Sequence, residues 1–483
     1  MHLFATKSLA ELHVESERGA LRRALGPWNL TALGIGSIIG TGIFVFTGVA
    51  ASQYAGPGLI ISMLIAATAC VFAGLCYAEL AAMIPVSGSA YTYAYATFGE
   101  LIAWIIGWDL ILEYALSGAT VAIGWSGYFV SFVRTIGIDF PQALAMAPGT
   151  VTMGADPVHG IFNLPAAGII LLVSLLLSLG IRESANTNTA LVLIKSLVLV
   201  LFVVAGVSYM NRDNLTPLIP PNTGEFGAFG WSGILRAAAI MFFAYIGFDA
   251  VSTAAQEAKR PQRDLPVGIL LSLGICTVLY IAVAVVLMGI VSYKQLNVPD
   301  PLAVGIDATG LTWLSPVIKI SALFGLFSTM LVQLLGQSRI FFSMSRDGLL
   351  PKMFSRVHPR FRTPHLSTMI TGSVMALAAG LLPLTTLGQL VSMGTLLAFV
   401  LVCIGIIILR RTAPDLPRPF RTPWVPLVPI LGALSCLVQM VALPISTWIR
   451  LVAWLALGLL LYFTYGARHS LLRRPKDEAQ EAA

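Results

Sequence analysis

Three ionisable residues stand inside long apolar runs of this chain: Glu113, Lys195 and Asp249. Charge buried at membrane depth is costly, so such residues mark ion or proton paths by default. Glu113 falls near the middle of its run, too deep for its short side chain to reach an interface. Asp249 stands about two turns from the nearer end of its run. Lys195 lies about five residues into its run, roughly 8 Å at 1.5 Å per residue. Two readings are open there. The ammonium can snorkel to the interface along its aliphatic stem. Alternatively it sits in an apolar site, where a lysine can lose its proton. The second reading couples Lys195 to Glu113 as a proton-exchanging pair, with Asp249 as a further proton-coupling carboxyl. Arg236 and Lys319 lie near the ends of their runs, where snorkelling is favoured. Glu79, one turn from a run's end, is expected to partner loop arginines, and Asp109 is open to both readings.

Two apolar runs are broken at their middles. The first reads Gly34-Ile-Gly-Ser-Ile-Ile-Gly40-Thr-Gly42-Ile-Phe44 and the second Phe242-Phe-Ala-Tyr-Ile-Gly247-Phe-Asp249. Glycine costs about 1 kcal/mol against alanine inside a helix. Four glycines in nine residues, Gly34 to Gly42, therefore argue against a plain spanning helix. A half-helix starting near Thr41 and Gly42 turns its first N–H groups and positive dipole end toward the gap. That suits a carboxylate. The second break leaves carbonyls near Phe243 to Ile246 that can accept from an ammonium. Together they fit the two charged ends of a free α-amino acid. The competing reading is that the glycines only let helices pack closely. Paired breaks in corresponding halves favour the binding reading. Phe242, Phe243, Tyr245 and Phe248 cluster at the second break, either as a gate or as a packing stripe.

The elements that position these residues follow from composition. Of 483 residues, 57% are hydrophobic and 11% charged, against about 25% charged in soluble domains. Mean hydropathy is +0.85. An all-α membrane protein of about twelve transmembrane helices is expected. The spans cover residues 30–53, 59–83, 100–133, 164–180, 190–209, 232–255, 267–291, 312–344, 368–384, 387–409, 425–443 and 448–465. Each is long enough for a crossing, which needs about 17–25 residues, and 100–133 and 312–344 exceed it. With the N-terminus cytoplasmic, 22 Lys and Arg fall in inner segments and 4 in outer ones, the other three of the 29 lying inside spans. That asymmetry supports the topology, places both termini inside the cell, and removes nucleic acid as the reason for the +7 charge.

The first five spans and the next five each open on a broken span, which makes them an inverted 5+5 repeat. The expected division is a tail at 1–29, repeats at 30–210 and 211–410, two further helices at 411–466, and a tail at 467–483. The first thirty residues carry no secretory cleavage pattern. Cys70, Cys76, Cys276, Cys403 and Cys436 all lie inside spans and read as small hydrophobes without metal-ligand spacing. Neither a metal nor a cofactor is expected, the driving ion being the proton. The six histidines are scattered through loops and tails, and no nucleophile elbow or paired catalytic carboxylates occur, so an enzyme is not expected.

Several segments together resemble the amino acid–polyamine–organocation (APC) superfamily, most closely its cationic amino acid transporter family in bacterial form. They are Gly34 to Phe46, Tyr77-Ala-Glu-Leu with Ile84 to Tyr95, Phe242 to Ser252, Pro261-Gln-Arg-Asp-Leu-Pro266, and Arg339 to Pro351. The resemblance covers about Leu30 to Leu409. It implies the LeuT-like 5+5 fold with broken helices 1 and 6. It also implies a carboxylate held at Ile38, Thr41 and Gly42, and an amino group held near Phe243, Ala244 and Ile246, with Phe243 as the gating aromatic. Lys195 matches the lysine that replaces a sodium site in proton-coupled members. Animal members carry arginine and lysine, and a cationic side chain wants a polar or acidic pocket. The eighth span offers Ser328, Thr329, Met330 and Gln333 and no acid. Met330 favours small apolar side chains, so alanine-like amino acids come first. The expected function is proton-coupled amino acid symport at the cell's inner membrane. An exchanger, a cationic amino acid carrier and a non-transporting receptor are the alternatives. The sequence does not say whether a second copy or a small membrane peptide binds the outer helices.

Overall fold

The computed structural model describes residue 6 and residues 25–84, 89–151, 157–180, 185–361 and 363–471. The described residues are helical apart from two isolated bridges, Leu25 with Ala258 and Val151 with His159. Fourteen helices carry the argument: α1 (Pro27–Ile38), α2 (Leu59–Met83), α3 (Ser89–Thr97), α4 (Glu100–Thr135), α5 (Leu164–Ser178), α6 (Ala185–Gly206), α7 (Gly230–Met241), α8 (Pro261–Ile290), α9 (Pro301–Ala308), α10 (Leu314–Arg346), α11 (His365–Leu381), α12 (Leu384–Thr412), α13 (Leu427–Ala442) and α14 (Ile445–Leu461). Eight helical runs are long and apolar enough to cross a membrane, and α5, α11 and α13 are shorter apolar helices. A chain this apolar must satisfy its backbone polar groups internally, which helices do. The first of the eight runs, Pro27–Met83, has 57 residues and is interrupted at Gly56, whose φ of +58 suits glycine alone. The long loops hold short 3₁₀ turns at Gln142–Leu144 and Arg212–Leu215. Of the motif Ile84 to Tyr95, residues 85–88 fall outside the described residues, as do Arg182 and the tail residues 1–5, 7–24 and 472–483.

The helices pack in a pattern. α2 lies against α8, α4 against α10, and α5 against α11. α1 meets α8, and α7 meets α2. α4 touches α5, and α10 touches α11. α6 touches α1, α8 and α10, while α12 touches α7, α2 and α4. The run Gly230–Thr253 is the innermost, 89% of its most apolar window being buried, against 22% for Ile445–His469.

That last run docks on one edge of α4 through indoles. Trp108 stacks between Trp104 and Trp454, at 5.9 and 4.5 Å. The Trp108 and Trp454 N–H groups each donate to the other residue's carbonyl, and Trp104 donates to Gly458. A side chain at Gly458 would overlap the Trp108 ring.

Glu79 is the expected partner of loop arginines. Buried at 1% exposure, it takes two bonds of 2.9 Å from Arg410 and one of 2.6 Å from the Thr422 N–H. Arg418 Nε stands 3.3 Å away. The Arg418 fork also donates to four carbonyls, at Leu409, Ala413, Pro414 and Leu416. One carboxylate thus ties α2 to the loop after α12. The five cysteines are all buried, but they are not all separate. Cys76 of α2 and Cys403 of α12 meet thiol to thiol, with Cys436 of α13 close by.

Candidate functional site

The first run ends its first helix at Ile38 and turns extended at Ile39, with ψ 94. It resumes at Thr41 as a π-helical turn over Gly42–Phe46. The second run tightens to a 3₁₀ turn over Phe242–Tyr245, goes extended at Ile246, and passes through Gly247 at φ +123. It resumes at Ala250–Thr253. Glycine alone adopts that backbone without strain.

The two breaks cross and touch at two points. A Cβ on Gly42 would overlap the Ala244 Cα. A Cβ on Gly247 would stand 2.8 Å from the Ser37 carbonyl. Each break therefore has a glycine pressed on the backbone of the other. From the sequence these glycines read either as helix interrupters or as sites of close helix packing. The structure adds that they also permit the crossing.

The carbonyls at the end of α1 are capped by three side chains from three helices. Lys195 of α6 places Nζ 2.5 Å from the Gly36 oxygen and 2.8 Å from that of Ile39. The Tyr280 hydroxyl of α8 donates to Ile38 at 2.7 Å. The Thr329 hydroxyl of α10 lies 3.2 Å from the Ile39 oxygen. A cation at a helix C-terminus is favourably placed against the dipole. Lys195 is 1% exposed, so it does not snorkel. The sequence reading places Thr329 in the side-chain pocket rather than on α1, and it does not name Tyr280. The available signal was a tyrosine in an apolar run, whose hydroxyl needs a partner when buried.

Glu113 stands elsewhere. It meets the Thr395 side chain of α12 and shares its surroundings with Asp249 and Asp109. Asp249 accepts from the Gly247 N–H at 3.2 Å and from the Tyr114 hydroxyl. Lys195 packs on Gly325 of α10, and Tyr114 packs on Gly336. Those positions are about 16 Å apart along the helix axis. The expected pairing of Lys195 with Glu113 is corrected on this geometry. The two belong to separate clusters at different depths, and Glu113 keeps company with Asp249.

Ile38, Thr41, Gly42, Phe243, Ala244, Ile246 and Met330 are all buried, none above 5% exposure among those with side chains. Thr41 and Gly42 begin the second half-helix, where N–H groups lack intrahelical acceptors. The Phe243 oxygen already accepts from the Ile246 N–H at 3.2 Å. Aromatic rings close the crossing. Phe46 and Phe243 meet at 4.9 Å, with Phe46 seated on Gly388 of α12. Phe399 packs on Phe242, Phe248 and Tyr77. Of the four aromatics expected at the second break, Phe243 faces the first run and Tyr245 donates to the Met63 carbonyl at 3.3 Å. Among the described residues no group of three His, Cys, Asp or Glu side chains is placed to hold a metal ion.

Residues 25–461 match the family described as amino acid permease. The chain is 47% identical over 472 residues to the methylthioribose transporter of Bacillus subtilis (strain 168), covering 98% of this chain and 99% of that protein. It is also 47% identical, over 474 residues and the same shares, to the branched-chain amino acid permease BcaP of that organism. With cationic amino acid transporter 4, vacuolar, of Arabidopsis thaliana it shares 38% identity over 418 residues, 86% of this chain and 68% of that protein.

Proposed function

We propose a function on this premise: the chain belongs to the amino acid permease family, within the amino acid–polyamine–organocation superfamily. It is a multi-pass membrane permease. Our reading is a proton-coupled symporter of small neutral L-amino acids in the cell's inner membrane, with both tails cytoplasmic. Twelve crossings form a 5+5 inverted repeat, residues 30–210 and 211–410, with two further helices at 411–466. The packing supports the repeat. Moving each of the first five crossings on by five, and the second five back, carries each contact named above among these ten helices onto itself or onto another that is also present.

The observation that carries the transport reading is the crossing of the two broken runs beside the Lys195 cap. Substrate carboxylate would sit on the half-helix start at Thr41 and Gly42, with Ile38 at its side. Substrate ammonium would sit among the carbonyls of Phe243, Ala244 and Ile246. Phe243 closes over it, and Met330 limits the side-chain space. Lys195 would carry the coupled proton. Its ammonium fastens α1 when charged, and loss of the charge loosens the fastening. Glu113 and Asp249 would pass protons as a separate carboxyl pair. The eighth span, which would line the side-chain space, offers Ser328, Thr329, Met330 and Gln333 and no acid, which favours neutral over cationic side chains.

The name of one close relative supports a second reading. A methylthioribose transporter and a branched-chain amino acid permease stand at the same identity, so a neutral thio-sugar is a competing substrate. Uptake of radiolabelled alanine and leucine into proteoliposomes, with and without an inward proton gradient, tests both. Gradient-driven uptake competed by neutral amino acids supports the proposal. Competition by methylthioribose alone, or by arginine, reassigns the substrate. Uptake only into preloaded vesicles makes the protein an exchanger.

A further inference from the structure

Two acidic residues far along the chain from each other are met by one short segment. Glu100 is the first residue of α4 and is fully buried. Its carboxylate faces the positive end of a 36-residue helix. Its oxygens accept from the hydroxyls of Tyr462 at 2.9 Å, Tyr95 at 3.1 Å, and Ser470. Asp347 follows α10. Its carboxylate accepts from Tyr91 at 2.6 Å and its carbonyl from the Leu471 N–H at 3.1 Å. Gly348, at φ +79, has no room for a Cβ because the His469 carbonyl oxygen fills the place. Residues 467–471 therefore touch both anchors at once.

Those anchors also hold α3. At nine residues, α3 is too short to be stable alone. Tyr91 and Tyr95 lie one turn apart on it, rings 5.7 Å from each other, and reach Asp347 and Glu100. Tyr93 between them packs on Tyr77 of α2 at 5.8 Å. Burial and the nearby carboxylates raise the Tyr91 and Tyr95 hydroxyls, so both remain donors. In turn α3 packs against Ala250–Thr253, the resumed part of the second broken run.

We propose that residues 467–471 form a strap that fixes α3 through Glu100 and Asp347, and that releasing the strap uncovers the resumed half of the second broken run. The opening so controlled rests on the transport reading. The strap's hold on α3 does not, and it is read without substrate.

Hydrogen exchange in detergent-solubilised full-length protein tests it. Ser470→Asp sets a carboxylate against Glu100, and a chain ended after Gly466 removes the strap. Both should speed exchange in α3 and Ala250–Thr253 roughly tenfold, the change expected from losing one charge-assisted hydrogen bond. Exchange in α9, at the far loop, should stay at the parent rate. Ser470→Thr, which keeps the hydroxyl, should match the parent. Unchanged exchange in α3 for both disrupting variants would overturn the proposal. So would a rise of equal size in α9, which would mean general loosening.

Discussion

Gly42 and Ala244 are in such close contact that a methyl group on Gly42 would overlap the Ala244 Cα. The two broken runs cross there, and backbone rather than a flexible side chain receives the clash. Overpacking of this kind typically costs about 1–3 kcal/mol. Gly42→Ala should therefore separate the runs and lower substrate uptake more than tenfold. Surface expression should fall far less, which a parallel blot would read.

Lys195→Ala removes two of the bonds that fasten the end of α1 and the only cation among its caps. Counterflow of labelled substrate should persist, while accumulation driven by a proton gradient should vanish. Full accumulation in the variant would end Lys195's role in coupling. Tyr280→Phe leaves the ammonium in place and should keep gradient dependence, at reduced rate.

Glu79→Gln leaves the Arg418 fork, 4% exposed at the side chain, beside a neutral amide. Breaking a buried ion pair from one side costs about 3–5 kcal/mol. Arg410 is partly exposed, so its share is the smaller. The expected outcome is a lower unfolding temperature and a loss of monodisperse protein on size exclusion. Replacing Arg410 alone should be milder.

Asp300, in the loop before α9, gives a pH dependence. Burial raises its carboxyl above the usual range, offset by the Ser131 hydroxyl and the Lys319 ammonium. Facing it are Lys319, itself paired to Asp307 at 3.2 Å, Asp307 and Tyr128. A carboxyl raised in the packed loop binds its proton more tightly there than when the loop lifts. The packed loop is thus favoured in acid, and the advantage fades as pH climbs above the ordinary carboxylate range. Hydrogen exchange in α9 should quicken over that climb. Asp300→Asn should flatten the dependence.

Much of this was legible in the chain. The breaks show as glycines in apolar runs, and residues 30 to 465 divide into apolar runs because bilayer-spanning helices need unbroken hydrophobicity. Glu79's arginines were legible because a buried acid near a run's end must find a cation. What the sequence could not show was depth and facing. Lys195 and Glu113 are both buried, yet a one-dimensional reading has no way to tell that Lys195 packs at Gly325 and Tyr114, the neighbour of Glu113, about three turns further along α10 at Gly336. The Tyr91 and Ser470 contacts join residues more than 250 positions apart, and no local pattern announces them.

The stations of α6 and α12 correspond in the packing, but their chemistry does not. α6 offers the first break an ammonium on carbonyls, and α12 offers the second a phenyl on phenyls. On the transport reading proposed above, the first joint has a catch that acid fastens and loss of the Lys195 proton loosens, and the ring contacts at the second joint do not titrate. On that same reading, acid on one side of the membrane closes the catch and its loss on the other side frees it.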